Sequence, residues 1–416
     1  MHESRVVVVG AGHAAAQLVV GLRQQGWQGE IVLVGDEAHL PYQRPPLSKG
    51  YLSGNMTAEQ LLIRQAAAYE KAGVTLRLGV RAERIDRAQQ RVILSTGEVL
   101  GYSGLALTLG ARARKLPVPG GELRGVCLLR SLADLEQIKA CTDNRAPGHA
   151  VMVGGGYIGL ETAASLRHLG WSVTLLEAMP RLLQRVTCAE VSDFYHRVHK
   201  EEGVDVRCGK GVVRILGESD VTGVQCDDDN VLPADLVIVG IGVDPNVELA
   251  VAADLEVGHG IRVNAHAQTS DPKIVAAGDC TEFFSPTHGR FLHIESVPHA
   301  MAQANCAAAT LCGKPSEYHA QPWFWSDQFD LKLQMVGLSQ GHDQVVVRGD
   351  IRYGRSFSVF YLAGSRLLAA DCVNRPKDFM LCKKLVAASV EVPVAVLADD
   401  SQDLGLWAQP SHDKSI

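Results

Sequence analysis

Four consecutive valines, Val6 to Val9, run without a polar interruption into Gly10. A short unbroken apolar run bounded by a turn residue is the pattern of a strand buried on both faces. Over residues 14–25 the apolar positions change to helical spacing, with Leu18 and Leu22 on one face, and residues 26–29 end the helix. Residues 31–34 are apolar again and predict the next strand. The same order of strand, glycine turn, helix and strand returns at Ala150. Val151 to Val153 lead into Gly154-Gly155-Gly156, helical spacing runs through Leu169, and residues 173–176 are the following strand.

Between the two copies the pattern predicts strands at 75–78, 91–94 and 105–109, a helix at 132–140 and a polar connector over 143–149. Further on, residues 269–280 read as a strand ending in Gly278-Asp279. Residues 296–311 read as a helix rich in small residues, closed by Gly313-Lys314-Pro315. From Glu317 the character changes. Trp323, Phe324, Trp325 and Phe329 concentrate aromatics, strand-like runs follow at 345–347, 357–362 and 367–373, and a helix runs from Pro376 to about Ser389. Strands alternating with helices predict parallel sheets and an α/β fold. The expectation is two Rossmann-like dinucleotide-binding domains and a smaller α+β C-terminal domain. The boundaries are 1–112 with 243–318 for a discontinuous first domain, 113–242 for the second and 319–405 for the third, with 406–416 a flexible tail.

A chain of 416 residues exceeds one ordinary core, and 46 % hydrophobic with 21 % charged residues is a globular balance. The net charge of −6 argues against nucleic acid as the main partner. No apolar run reaches membrane-spanning length; residues 386–398 come closest but contain Glu391 and Pro393. The N-terminus enters a strand directly, so neither a signal nor a transit peptide is expected, and the ten cysteines, with no C-x-x-C pair, are expected to be reduced thiols. The expected compartment is the cytoplasm. The fifteen histidines show no H-x-x-x-H spacing, and no metal is expected.

The candidate chemistry sits at the turns. Gly10, Gly12 and Ala15 fall in the G-x-G-x-x-[G/A] spacing, in which the first glycine permits a tight turn, the second lets backbone approach a pyrophosphate and the third small residue lets helix and strand pack closely. The diphosphate then lies on free N–H groups of the helix N-terminus. Gly154, Gly156 and Gly159 repeat the pattern, with Tyr157 and Ile158 opening the helix. Asp36 follows the second strand, where a carboxylate can accept from a ribose hydroxyl pair; a solvated loop carboxylate reads the same way. Glu177 stands 23 positions beyond Gly154 at the end of its strand. It suits a free 2′-hydroxyl and repels a 2′-phosphate, which favours NADH over NADPH, although Arg181 and Arg185 are close in sequence. Asp279 presents a carboxylate at a strand's C-terminal end. In residues 41–49 two adjacent prolines stiffen the chain ahead of Lys49, which is either a cation held at a site or a surface lysine.

Several stretches together resemble one family: Pro-Tyr-Gln-Arg-Pro-Pro-Leu-Ser-Lys (41–49), Gly-Gly-Gly-Tyr-Ile-Gly-Leu-Glu (154–161), Thr-Ser-Asp-Pro-Lys-Ile-Val-Ala-Ala-Gly-Asp (269–279), Ile-Glu-Ser-Val-Pro (294–298) and Trp-Phe-Trp-Ser-Asp-Gln (323–328). In this order they resemble the two-dinucleotide-binding flavoproteins of the glutathione-reductase fold, and within it the NADH-dependent ferredoxin reductases that serve oxygenases, the putidaredoxin-reductase-like group. The resemblance covers nearly the whole chain. It implies non-covalent FAD at the first fingerprint and NADH at the second. By the same likeness Gly10, Gly12, Ala14 and Ala15 hold the FAD pyrophosphate, Asp36 the adenosine ribose, and Ala82 lines the adenine side. Arg44 and Arg130 contact the cofactor, Asp279 binds the ribityl chain and Val297 sits by the pyrimidine edge. Lys49 lies beside the isoalloxazine, Glu161 faces the nicotinamide side and pairs with Lys49, Trp325 borders the flavin edge, and Gly242 joins Gly154, Gly156, Tyr157, Ile158, Gly159 and Glu177 in the nucleotide set. Thr108-Leu109-Gly110 departs from the family's usual Ala-Thr-Gly.

Disulfide reductases of this fold carry a redox cysteine pair just after the first βαβ unit; here residues 42–49 contain none, and Cys280 reads as a small apolar residue. The implied activity is hydride transfer from NADH to FAD, then single electrons to a small iron–sulfur ferredoxin feeding a monooxygenase or Rieske-type dioxygenase. The implied protein is a monomer or weak homodimer with no nucleic-acid or membrane partner. Arg64, Lys332 and Arg348 are candidates for a basic rim that steers an acidic ferredoxin. The alternatives are a rubredoxin reductase, an NADH oxidase, and a non-catalytic flavoprotein that senses NADH.

Overall fold

A computed structural model describes residues 4–143, 146–319 and 321–408 of the chain. The chain divides into two units, one of residues 1–44, 57–112 and 243–320, the other of residues 45–56, 113–242 and 321–416.

In the first unit five parallel strands lie in the order Ile274–Ala276, Gly104–Leu107, Arg5–Val9, Glu30–Gly35, Val74–Leu78. The valine run is unbroken because both faces of its strand are covered. Val6 and Val8 pack with Leu18 and Leu22 of the helix His13–Gln24, while Val7 and Val9 pack on the opposite side with Val92, Leu94 and Leu100. Those last residues belong to a small antiparallel sheet of Ala82–Asp86, Arg91–Leu94 and Val99–Gly101. The period-two signal suggested only its middle strand, because Ala82–Asp86 carries exposed polar residues and Val99–Gly101 is only three residues long. The helix Val297–Leu311, capped by the Ser296 hydroxyl, packs on His13–Gln24 through small residues; a Cβ on Gly21 would stand 3.0 Å from that of Ala308.

The second unit repeats the plan. Five parallel strands take the order Val204–Cys208, Ser172–Glu177, His149–Val153, Leu236–Val239, Val126–Cys127, again with the fingerprint strand in the centre. An antiparallel sheet of Val212–Gly217, Val221–Cys226 and Val231–Pro233 covers Val151 and Val153. A helix at Ala189–Glu201, absent from the sequence reading, buries Val191, Phe194, Tyr195 and Val198.

The same unit holds a five-stranded antiparallel sheet, Trp323–Gln328, Leu331–Gly337, Arg366–Val373, Ser356–Ala363, Gln344–Asp350, with the helix Pro376–Ala387 packed on it. Arg348 is not a surface cation. It is 4 % exposed, and its guanidinium donates to the carbonyls of Val396, Asp399 and Gln402 at 3.1, 2.7 and 2.6 Å, which clamps the returning chain. Of the expected basic rim, Arg64 is half-buried and Lys332 is exposed. At the expected tail, Leu404–Leu406 form a 3-10 turn and Trp407 and Ala408 pack on the core; residues 409–416 lie outside the described residues.

A buried carboxylate ties the antiparallel sheet to the loop before Ala189. Asp371 accepts from Tyr361 Oη at 2.6 Å and Thr187 Oγ1 at 2.7 Å, and Tyr361 Oη accepts from the Cys188 N–H at 3.1 Å. Burial pushes the Asp371 carboxyl up to about 6, against the pull of the two hydroxyls. A carboxyl that holds its proton more tightly folded than unfolded adds stability below its unfolded pKa, and that stability is lost as pH rises through the folded value. Asp371→Asn is therefore expected to flatten the fall in stability between about pH 4 and pH 6. Thermal melts across that window check this; a variant slope equal to the wild type's contradicts it.

Candidate functional site

At the first fingerprint the backbone itself demands glycine. Gly10 has φ +100°, and a Cβ there would lie 2.2 Å from the Thr108 carbonyl oxygen. Its N–H donates to the Val34 carbonyl at 2.8 Å, which turns the chain off the sheet. Thr108 closes the turn from the other side, its hydroxyl donating to the Val9 and Gly10 carbonyls, 3.0 Å each. A Cβ on Gly12 would meet nothing within 4 Å. Gly12 caps the helix His13–Gln24 without a side-chain acceptor, and no acidic residue stands in the first turn. Other helices are capped by Thr57, Ser131 and Ser296. The start of this helix is thus open at Gly12 and carries no side-chain cap, as a cradle for a diphosphate needs.

The second fingerprint repeats the turn, with Gly240 standing where Thr108 clips the first. Gly154 has φ +111°, its Cβ would lie 2.4 Å from the Gly240 carbonyl, and its N–H reaches the Leu176 carbonyl at 2.8 Å. Gly156 caps Tyr157–His168 with no side-chain acceptor and open space around it. Gly159 lies against the turn, where a Cβ would be 2.0 Å from the Gly154 carbonyl; Ala15 fills the matching place in the first copy. Ile158 is exposed, and Tyr157 donates to Met335 Sδ at 2.9 Å with its ring 4.8 Å from that of Phe324. Glu177 accepts from the N–H groups of Gly155 at 2.6 Å and Met179 at 2.7 Å. Each oxygen retains a lone pair, so the carboxylate is oriented by backbone and still able to accept from a hydroxyl. Arg181 is committed elsewhere, donating to Thr187 O, Ser192 Oγ and Gln184 O at 2.8, 2.6 and 3.2 Å, whereas Arg185 is exposed. Gly242, at φ +107°, accepts from the Arg114 N–H at 3.0 Å.

One turn inside the second fingerprint helix, Glu161 is buried, its side chain 1 % exposed, and Lys49 Nζ lies 2.7 Å from its Oε2. Ser48 Oγ donates to the same oxygen at 2.6 Å and Ser326 Oγ to the other at 2.6 Å. Pro45–Ser48 form a 3-10 turn, and Ser165, four residues beyond Glu161 on the same helix face, donates to the Ser48 carbonyl at 2.7 Å. Two stiff prolines and two helix side chains thus fix where the Lys49 ammonium stands. The sequence reading named Lys49 and Glu161 and missed the three serines around them.

Among the remaining named residues, the first unit holds Asp36, exposed just past its strand, and Arg44, paired with Glu37 at 2.6 Å beside the Tyr42 hydroxyl. Ala14 and Ala15 are buried on the first fingerprint helix, and Ala82 opens its strand half-buried. Asp279 is half-buried and adds to the field that holds the Arg44 guanidinium positive. Next to it the Gly278 N–H donates to buried Gln303 at 2.8 Å. Val297 is the half-buried first residue of its helix. In the second unit Arg130 gives its N–H to Asp134 at 2.9 Å, and Trp325 is half-buried with its ring 5.6 Å from Trp323.

All ten cysteines are free. Cys280 is buried, and burial pushes its thiol up to about 11, so it carries no thiolate at neutral pH. Among the described residues no group of three or more His, Cys, Asp or Glu side chains is placed to hold a metal, and no helix is long and apolar enough to cross a membrane.

Residues 4–304 match the pyridine nucleotide-disulphide oxidoreductase family, and residues 323–407 match the reductase C-terminal family. The chain is 47 % identical to a putidaredoxin reductase of Pseudomonas putida over 96 % of its own length and 95 % of that protein's. It is 41 % identical to the ferredoxin–NAD(+) reductase component of an anthranilate 1,2-dioxygenase system of Burkholderia cepacia, covering 96 % and 98 %. The crystal structure of a covalent putidaredoxin reductase–putidaredoxin complex matches with TM-score 0.92 at 46 % identity, covering 97 % of each chain.

Proposed function

The chain belongs to the pyridine nucleotide-disulphide oxidoreductase family and carries the reductase C-terminal module, and from that premise we propose that it is an FAD-dependent NADH:ferredoxin oxidoreductase of an oxygenase system. The observation that carries the reading is the pairing of two uncapped glycine turns of one geometry with a buried Lys49–Glu161 centre and no cysteine in residues 42–49. Both cradles fit a dinucleotide diphosphate: open space at Gly12 and Gly156, and helix starts with no side-chain cap. Bound FAD supplies the acceptor for hydride from NADH and the donor of single electrons to an iron–sulfur protein.

The chain's own residues bind and orient. Gly10, Gly12, Ala14 and Ala15 hold the FAD diphosphate, Asp36 takes the adenosine ribose, and Asp279 takes the ribityl chain. Ala82, Arg44, Arg130 and Val297 complete the flavin's surroundings, and Trp325 borders its edge. At the second cradle Gly154, Gly156, Gly159 and Gly242 bring backbone to the NADH diphosphate beside Tyr157 and Ile158, and Glu177 accepts from the 2′-hydroxyl. Lys49 places a fixed cation where reduction builds negative charge, and Glu161 holds that cation still. Hydride transfer needs no acid–base pair, so both act by position and charge. The partner is an acidic iron–sulfur ferredoxin, and the compartment is the cytoplasm.

Arg181 serves its own loop and each Glu177 oxygen accepts one backbone N–H and keeps a lone pair for a hydroxyl, which favours NADH. Glu177→Ala is expected to weaken NADH about tenfold and to narrow, without reversing, the preference over NADPH. Flavin-reduction rates against concentration of each nucleotide measure this, and an unchanged ratio refutes the assignment. The function as a whole is tested by NADH-driven reduction of [2Fe–2S] ferredoxins. Turnover above the oxygen background that falls with salt supports it; none with any ferredoxin contradicts it.

A further inference from the structure

A buried polar chain leads away from Glu161 toward a histidine that the chemistry above does not use. Ser326 Oγ donates to Glu161 Oε1 at 2.6 Å, Gln328 Nε2 donates to Ser326 Oγ at 3.1 Å, and Gln328 Oε1 lies 2.9 Å from His199 Nε2. Ser326, Gln328 and His199 are each at most 1 % exposed. The direction of every bond is forced from the carboxylate end. A carboxylate only accepts, so the one Ser326 proton goes to Glu161 and the Ser326 oxygen can only accept. The Gln328 amide nitrogen must then face Ser326 and its carbonyl must face His199. A carbonyl only accepts, so His199 carries its proton on Nε2.

The rest of the His199 environment agrees. Its Nδ1 is buried with no partner, a place where a bare acceptor costs less than a stranded N–H. Burial, with His196 adding a like charge, lowers the imidazole to about 4, so it is neutral at working pH. Phe329 holds the ring from one side, 5.0 Å away in an edge-on contact, and does so from a left-handed backbone with φ +53°. A phenylalanine there is strained, which the packing on His199 helps to offset. Lys49 and Ser48 also touch Glu161 directly, and the buried Tyr157 and Tyr195 phenols are kept protonated by burial with the Glu161 charge adding to it.

We propose that His199, Gln328 and Ser326 are positioning residues, a one-way chain of hydrogen-bond donors that fixes the Glu161 carboxylate and through it the Lys49 ammonium. Each donor polarises the next, so the end of the chain on Glu161 is stronger than an isolated serine hydroxyl would be. The functional part rests on the NADH:flavin reading given above. The structural part, the tautomer and bond direction, does not.

The experiment has two arms on the FAD-loaded protein. Nitrogen-15 NMR of histidine-labelled wild type, with His199 assigned by the signal lost in His199→Gln, should show a neutral Nε2–H imidazole that does not protonate down to about pH 5. An Nδ1–H tautomer, or protonation above about pH 6, overturns the chain whatever the enzyme does. In stopped flow, Ser326→Ala and Gln328→Met are each expected to lower the limiting rate of flavin reduction by about tenfold and about threefold, with the NADH dissociation constant within about twofold of wild type. A merely structural role would alter melting temperature or FAD content without that split. Both variants reduced at the wild-type limiting rate overturn the positioning role. Wild type that NADH fails to reduce counts against the proposed function, while the NMR arm still decides the chain.

Discussion

Gly10→Ala is expected to purify without flavin and with its first unit destabilised, whereas Gly12→Ala is expected to fold like wild type and fail only to hold FAD. The contrast follows from what each new Cβ meets. At Gly10 it would be driven to 2.2 Å from the Thr108 carbonyl, on a backbone at φ +100° that an alanine resists. Relieving that clash means opening the turn that Thr108 clips to Val9 and Gly10. At Gly12 the Cβ enters open space, so the polypeptide tolerates it, but that space is where the diphosphate must approach. Loss of two or three charge-assisted hydrogen bonds to phosphate corresponds to at least about a hundredfold weaker FAD binding. The ratio of flavin to protein absorbance, titration of the apoprotein with FAD and thermal melting separate the two effects. Gly12→Ala that keeps a full complement of FAD would show that the cradle holds something else.

Lys49→Met is expected to slow reduction by NADH by about a hundredfold at saturating nucleotide, the range seen when one preorganised charge-stabilising group is removed. The variant also leaves Glu161 buried with only the Ser48 and Ser326 hydroxyls for company. Stranding one partner of a buried pair costs about 3–5 kcal/mol, and the partial exposure of Lys49 puts this case at the lower end. The double variant Lys49→Met/Glu161→Leu should recover much of the stability and none of the rate, because it removes the stranded charge without restoring the cation. Stopped-flow absorbance of the flavin band and thermal melts measure both quantities. A single variant reduced within about threefold of wild type would remove Lys49 from the reaction.

What could be read from the chain was what chemistry constrains tightly. The valine run predicts a two-faced buried strand, and both faces are covered. The glycines at 10 and 154 are dictated by positive φ and sub-van der Waals approach, so their spacing carried the fold twice over. Lys49 and Glu161 were legible as a pair only through resemblance, since 112 positions separate them and no local pattern links them. The strands Trp323–Gln328 and Leu331–Gly337 escaped because their hairpin turns at Phe329-Asp330, where a left-handed phenylalanine replaces the Asn-Gly signal expected of a two-residue loop. With the strand unrecognised, its period of two went unused, and that period is what sets Ser326 and Gln328 on one buried face. Arg348 was misplaced for a general reason. An arginine spent on backbone carbonyls looks no different in sequence from one at a surface.

The central claim is that electrons enter from NADH and leave singly to an iron–sulfur protein. Double-mixing stopped flow tests it most directly: the flavin is reduced with one equivalent of NADH in the absence of oxygen, then mixed either with a [2Fe–2S] ferredoxin such as putidaredoxin or with aerated buffer. The account predicts reoxidation by a cognate ferredoxin at least about a hundredfold faster than by oxygen, slowing as salt screens the encounter. Flavin that oxygen reoxidises as fast as every ferredoxin does would contradict it.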